Sequence, residues 1–193
     1  SFTDYAEILR PKDFPGIISN TRYDYETYQV NIFDNTLQTA TFRASYREGR
    51  ALNLVPPIGT LPYVADTSRI DLSFLWRPLD QLSINNTYFL TELENRGGSA
   101  KIFKNEIFRS NWNYQFTKEL SLRFIAQYDE TEAGPATRLQ DDENLNFDVL
   151  LRYVINPWSA FYIGYNSNRS NFDIIEYEGE RELIVANDLR QDG

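Results

Sequence analysis

Between Phe108 and Tyr128 the sequence reads FRSNWNYQFTKELSLRFIAQY, and its alternate residues separate into two kinds. Phe108, Ser110, Trp112, Tyr114 and Phe116 form one set; Arg109, Asn111, Asn113, Gln115 and Thr117 form the other. After Lys118 and Glu119 the pattern resumes, with Leu120, Leu122, Phe124, Ala126 and Tyr128 set against Ser121, Arg123, Ile125 and Gln127. Successive side chains of a strand point to opposite faces, so a period of two predicts β-strands with one apolar and one polar side. What the apolar side touches, a protein core or lipid, then decides the fold.

The same alternation predicts strands at Tyr25–Phe33, Leu37–Arg47, Arg69–Arg77, Gln81–Glu92, Glu106–Thr117, Leu120–Glu130, Leu145–Ile155 and Ser159–Arg169. Residues 1–20, with RPKDFPG, read as an irregular lead-in, and 21–193 as one unit of about eight strands. Short turns fall at 34–36, 78–80, 118–119 and 156–158, and long connections at 48–67, 93–105, 131–144 and from 170 onward. Strand, tight turn, strand, long loop is the rhythm of an antiparallel meander, with tight turns at one end and long loops at the other.

Composition limits the chemistry. With 28 acids against 19 Lys and Arg the net charge is -9, which argues against a nucleic-acid surface. There is no Cys and no His, so thiolate nucleophiles, disulfides, the usual zinc sites and His general bases are all excluded. Aromatic residues reach 15%, too many for a disordered chain. No apolar run is long enough for a transmembrane helix, which leaves a β-barrel open as a way to span a bilayer.

Three features point to such a barrel. The strands, at roughly 11–12 residues, exceed the usual length of about 5–6 and suit a tilted span. Tight turns alternate with long loops, as in outer-membrane barrels. Aromatic residues bracket the strands, with Trp76, Trp112, Tyr128, Tyr153, Trp158 and Phe161 as girdle candidates. The alternate set, Arg109, Asn111, Asn113, Arg123, Gln127, Asp148 and Arg152, would then face a wet lumen. Asn86 and Ser110 sit on the apolar side of this register and disagree with it. The fold class expected is all-β: an antiparallel meander forming a transmembrane outer-membrane β-barrel, as part of a larger barrel. A β-sandwich alternates too, with its polar side in water, and stays as the alternative.

At SNWNYQFTKELSLRFIAQY and LLRYVINPWSAFYIGYNSN the sequence resembles the C-terminal barrel region of bacterial outer-membrane proteins that carry an N-terminal family-9-like carbohydrate-binding domain. The residues concerned are Trp112, Asn113, Tyr114, Gln115, Phe116, Thr117, Leu120, Ser121, Leu122 and Arg123, then Pro157, Tyr162, Gly164, Tyr165 and Asn166. The resemblance is most specific over about residues 106–169. It implies a Gram-negative outer membrane and a porin-like role linked to glycan handling, and it supplies no catalytic residue. Such barrels end in a strand with a terminal aromatic residue, whereas this chain stops at NDLRQDG, so a fragment is expected.

Other constellations carry less. The loop 129–143 offers Asp129, Glu130, Asp141, Asp142 and Glu143 to a calcium ion, but without the spacing or central Gly of an EF-hand; a solvated charged loop is the simpler reading. Nothing places two carboxylates in one cleft for glycoside hydrolysis. On a sandwich, Tyr162, Tyr165 and Trp112 could form a platform for sugar rings. The expectation is therefore a membrane-spanning pore or anchor, not an enzyme, with no metal and no cofactor. Its partners would be outer-membrane lipid and lipopolysaccharide, a glycan or a partner protein, and not nucleic acid. The alternative function is a soluble glycan-binding β-sandwich module.

Overall fold

The computed structural model describes residues 1–14, 16–98, 100–177 and 180–191, with side chains described as far as Arg169. Ten strands follow one another: β1 (Phe2–Leu9), β2 (Thr21–Asp34), β3 (Ala40–Asn53), β4 (Tyr63–Leu79), β5 (Leu82–Glu94), β6 (Lys101–Gln115), β7 (Leu120–Ala133), β8 (Asp142–Asn156), β9 (Ser159–Tyr177) and β10 (Glu180–Gln191). They form one sheet in sequence order. Every neighbouring pair is antiparallel, so the chain is an uninterrupted meander.

Two strands lie where the sequence predicts none. β1 falls in the lead-in, where FTDYAEIL mixes apolar and charged residues on both alternate sets and gives no period-two signal. β10 falls in the acidic segment read as a loop. The other strands run longer than predicted, because pairing continues past the amphipathic stretch into the segments read as loops.

The register separates the two residue sets across the whole sheet. Ala40, Trp76, Ile84, Trp112, Phe124, Val149 and Tyr165 form one cross-strand row on the apolar face. Arg43, Ser73, Thr87, Arg109, Gln127, Asn146 and Asn168 form a row on the polar face. Cross-strand side-chain pairs of this kind are the unit of sheet stability. Ile84 is only 4% exposed because it sits directly between Trp76 and Trp112.

The discordant pair Asn86 and Ser110 also has an explanation. They lie opposite each other on the apolar face, where Ser110 Oγ donates to Asn86 Oδ1 at 2.7 Å. Trp112 Nε1 donates to the same Ser110 oxygen at 2.8 Å. The two polar residues satisfy each other and anchor an indole, so neither is an error of register.

The buried core lies mainly at the long-loop end. Past Thr91 and Asn105 the polar-face positions become Leu93 and Phe103, and Tyr23, Tyr25, Ala51 and Ala65 occupy the same zone of β2 to β4. The loops fold over this zone. Leu9, Phe14, Ile17 and Leu52 pack with Tyr23, Tyr25 and Val64. Ala65, Leu93 and Ile102 pack with Ala51, Phe103 and Ala136. Gly49 serves this end of the sheet: its φ is +150°, and a Cβ there would strike the backbone of Glu26 and Thr27.

This architecture corrects the barrel expectation. β1 pairs only with β2 and β10 only with β9, so among the described residues the sheet is open. A β-structure in hydrocarbon must close, because a sheet edge leaves a row of backbone N–H and C=O groups with no partner. The transmembrane, porin-like reading rests on closure and is withdrawn. With it go the pore or anchor function, the outer-membrane location, and the lipid and lipopolysaccharide partners. The resemblance to the barrel region of carbohydrate-binding outer-membrane proteins is not upheld either. The described residues also form one sheet rather than two stacked ones, so Phe124, Val149 and Ile163 share an uncovered face, with Ile163 55% exposed.

Candidate functional site

The polar face is the built surface of this molecule. On β6, β7 and β8 the register places Arg109 opposite Gln127, Asn111 opposite Ile125 and Ile125 opposite Asp148, Asn113 opposite Arg123, and Ser121 opposite Arg152. All seven residues expected to face a lumen therefore share one continuous patch. With the sheet open, that patch faces a groove and not an enclosed channel.

The sheet curls toward this face. A single cleft of about 420 Å³ near the tight turns is lined by Arg77 and Asp80 from the β4 end, Ser83, Asn113, Gln115, Ser121 and Arg123 from β5 to β7, and Leu150 and Arg152 from β8. Laid flat, strands β4 to β8 would spread over about 19 Å, too far to wall one such cleft. At the other end the β7–β8 connection reaches back across the same face. Thr137 Oγ1 donates to the Val55 carbonyl at 2.7 Å, and the backbone N–H of Arg138 donates to it at 3.2 Å. The Arg138 guanidinium lies 5.8 Å from the centre of the Phe14 ring. The groove is thus covered by packed loops at one end and open at the end that holds the cleft.

Hydrogen bonds and ion pairs set the orientation of the polar side chains. Arg123 Nη2 lies 3.5 Å from Asp148 Oδ1. Arg69 Nε lies 2.8 Å from Asp71 Oδ1. Asn113 Nδ2 donates to Asn111 Oδ1 at 3.3 Å, and Arg47 Nη2 donates to Gln29 Oε1 at 3.2 Å. Arg77, Arg109 and Arg152 have no carboxylate within 4 Å among the described residues. Asn and Gln amides carry both donors and acceptors, and guanidinium groups carry donors in a planar fork. Such a face suits a ligand rich in hydroxyl or anionic oxygens.

The girdle candidates fall on the opposite side or in a turn. Trp76, Trp112, Tyr128, Tyr153 and Phe161 lie on the apolar face by register. Trp158 stands in the β8–β9 turn, 95% exposed, its backbone N–H donating to Asn156 Oδ1 at 2.9 Å. The sugar platform that Tyr162, Tyr165 and Trp112 could form on a sandwich is not assembled. Tyr162 lies opposite Arg152 on the polar face, while Tyr165 and Trp112 lie on the apolar one.

The acidic loop residues are engaged one by one. Asp129 accepts from Asn105 at 3.0 Å, Asp141 from the Ala133 N–H at 2.6 Å and Asp142 from Asn144 at 2.9 Å. Tyr128 donates to Glu143 at 2.9 Å and to Glu130 at 3.2 Å, and its phenol pKa is raised by burial and by these two carboxylates. No three of them converge as metal ligands among the described residues. A related row stands at the long-loop end of the apolar face, where Tyr88 donates to Glu106 at 2.7 Å and Lys104 lies 3.1 Å from Glu106. These partners hold the Glu106 carboxyl below its usual range, the Tyr88 hydrogen bond first and Lys104 after it.

What sequence reasoning missed is the cleft itself. Arg77, Asp80, Gln115 and Ser121 belong to turn-proximal positions whose convergence depends on sheet curvature. The only readable signal was that Gln115 and Ser121 continue the polar set of the hairpin. Comparison with known protein families, with curated proteins and with solved structures finds no match to this chain.

Proposed function

We propose that this chain is a non-catalytic glycan-binding module that takes a sugar chain along the groove of its polar face. The observation that carries the reading is the cleft of about 420 Å³ in which Asn113, Gln115, Ser83 and Ser121 stand with Arg77, Arg123 and Arg152. Amides, hydroxyls and guanidinium forks match the dense hydroxyl array of a saccharide. Tyr162, 54% exposed and directly across from Arg152, adds a ring against which a sugar can stack. Asp80 is the one carboxylate among the cleft-lining residues, which does not make the acid pair that glycoside hydrolysis uses.

Isothermal titration of the purified chain with a panel of oligosaccharides of four to eight sugar units tests the proposal. Binding of at least one glycan, weakened by Asn113→Ala and unaffected by Val149→Ala on the opposite face, is the expected result. Absence of binding across the panel at millimolar ligand would overturn it.

A further inference from the structure

The charge of the cleft is opposite to the charge of the chain. The protein carries a net charge of -9, yet three guanidinium groups and one carboxylate line the cleft. Asp148, just outside it, offsets Arg123 at 3.5 Å. Arg77 and Arg152 have no such partner among the described residues. Arg152 is also the diagonal cross-strand neighbour of Arg123, since Arg123 lies opposite Leu150 and Ser121 opposite Arg152. Diagonal neighbours on one face stand about 7–8 Å apart, near enough for like charges to repel and for one anionic group to bridge them.

An acid-rich chain has many carboxylates with which to neutralise these arginines, and they lie elsewhere. On the opposite face Glu106, Glu132 and Glu143 are taken up by Lys104, Lys101 and Tyr128. Arginine presents a fork of donors that fits a carboxylate or sulfate with two parallel bonds. A neutral sugar would leave that fork paired with hydroxyls alone.

We infer that the glycan taken by this groove is acidic, and that Arg77 and Arg152 select it by pairing with a carboxylate or sulfate on the sugar ring. The inference rests on the glycan-binding reading above and narrows its ligand class. The chain's own negative charge repels such a ligand at a distance, so binding depends on these contacts and not on steering. Charge-assisted bonds from two arginines make the acidic ligand at least about tenfold tighter than its neutral counterpart.

The test is calorimetric titration with three ligands of equal length: an oligogalacturonate, the same oligomer with its carboxyl groups reduced to alcohols, and a sulfated galactan oligomer. The expected result is preference for one or both acidic oligomers over the reduced one by at least about tenfold, and in Arg152→Ala and Arg77→Ala that preference collapses because the acidic affinity falls further than the neutral one. Both side chains are exposed, and unchanged urea midpoints check that the variants fold. The carboxylated and sulfated arms show which anion is read. Equal affinity for the acidic and reduced oligomers would overturn the charge selection and leave the glycan-binding module standing. No binding by any of the three, with neutral glycans of the wider panel still bound, would also overturn it. Failure of every glycan overturns both readings.

Discussion

Replacing Ile102 and Ile163 separately by alanine measures where this sheet is held together. Ile102 is fully buried beside Ala65 and Leu93, under the loops. Ile163 sits near the start of β9 on the uncovered apolar face and is 55% exposed. Each substitution removes three carbons. At about 0.8 kcal/mol per buried carbon, plus a cavity term, Ile102→Ala costs about 3 kcal/mol. With over half of its surface already in water, Ile163→Ala costs about 1 kcal/mol or less. Urea unfolding followed by far-UV circular dichroism reads both. For a slope of about 2 kcal/mol/M the midpoints fall by about 1.5 M and under about 0.5 M respectively. Equal losses would refute the reasoning, because they would mean that the apolar face is covered in solution by something the chain's own fold does not supply.

Gly49→Ala is expected to destabilise by about 2–4 kcal/mol, since a side chain there meets the β2 backbone at a φ of +150°; the same urea titration checks it. Glu106 and Glu132 both have carboxyl pKa values held down in the fold, mainly by Tyr88 and by Lys101. A depressed acid stabilises the fold above its ordinary pKa, and that contribution fades as pH falls through the folded value. Stability should therefore drop between about pH 5 and pH 3, by under about 1 kcal/mol per site because both carboxylates are largely solvated. Glu106→Gln with Glu132→Gln should flatten that part of the stability–pH curve. Arg138→Ala removes the cation over Phe14 while leaving Thr137 on Val55. Faster amide hydrogen exchange in the 134–140 and 10–18 loops, with β5 to β7 unchanged, is the expected signature.

The eight strands β2 to β9 and their antiparallel order were legible because both are local, whereas β1 and β10, without a period-two signal, were not. The alternation from Phe108 to Tyr128, split by Lys118 and Glu119, already indicates the β6–β7 hairpin and its two faces, and the structure sets Trp112 opposite Phe124, both from the apolar set, in a register shifted by one residue from a two-residue turn at 118–119. The two faces were legible for the same reason. Closure was not, since it depends on whether β1 meets β10, and no residue near either strand encodes the accumulated curl of the strands between. The loop-covered core was hidden by a change of meaning along the strand. At Leu93 and Phe103 the polar set becomes apolar, and only the loops folding over that end give those residues a partner. The failed sugar platform had a readable flaw. Tyr162 and Tyr165 are three residues apart, and a period of two sends them to opposite faces. The cleft needed register as well as period, since Arg77 and Arg152 come to line one cleft from β4 and β8, the outer two of five consecutive strands.

Glycan binding as proposed above puts the working surface on the polar, arginine- and amide-bearing side of the sheet. Chemical-shift mapping of the isotope-labelled chain during titration with an acidic oligosaccharide tests it most directly. The expected shifts concentrate at Asn113, Gln115, Arg123, Arg152 and Tyr162. Shifts confined to Trp112, Phe124, Val149 and Tyr165, on the other side of the same strands, would contradict it.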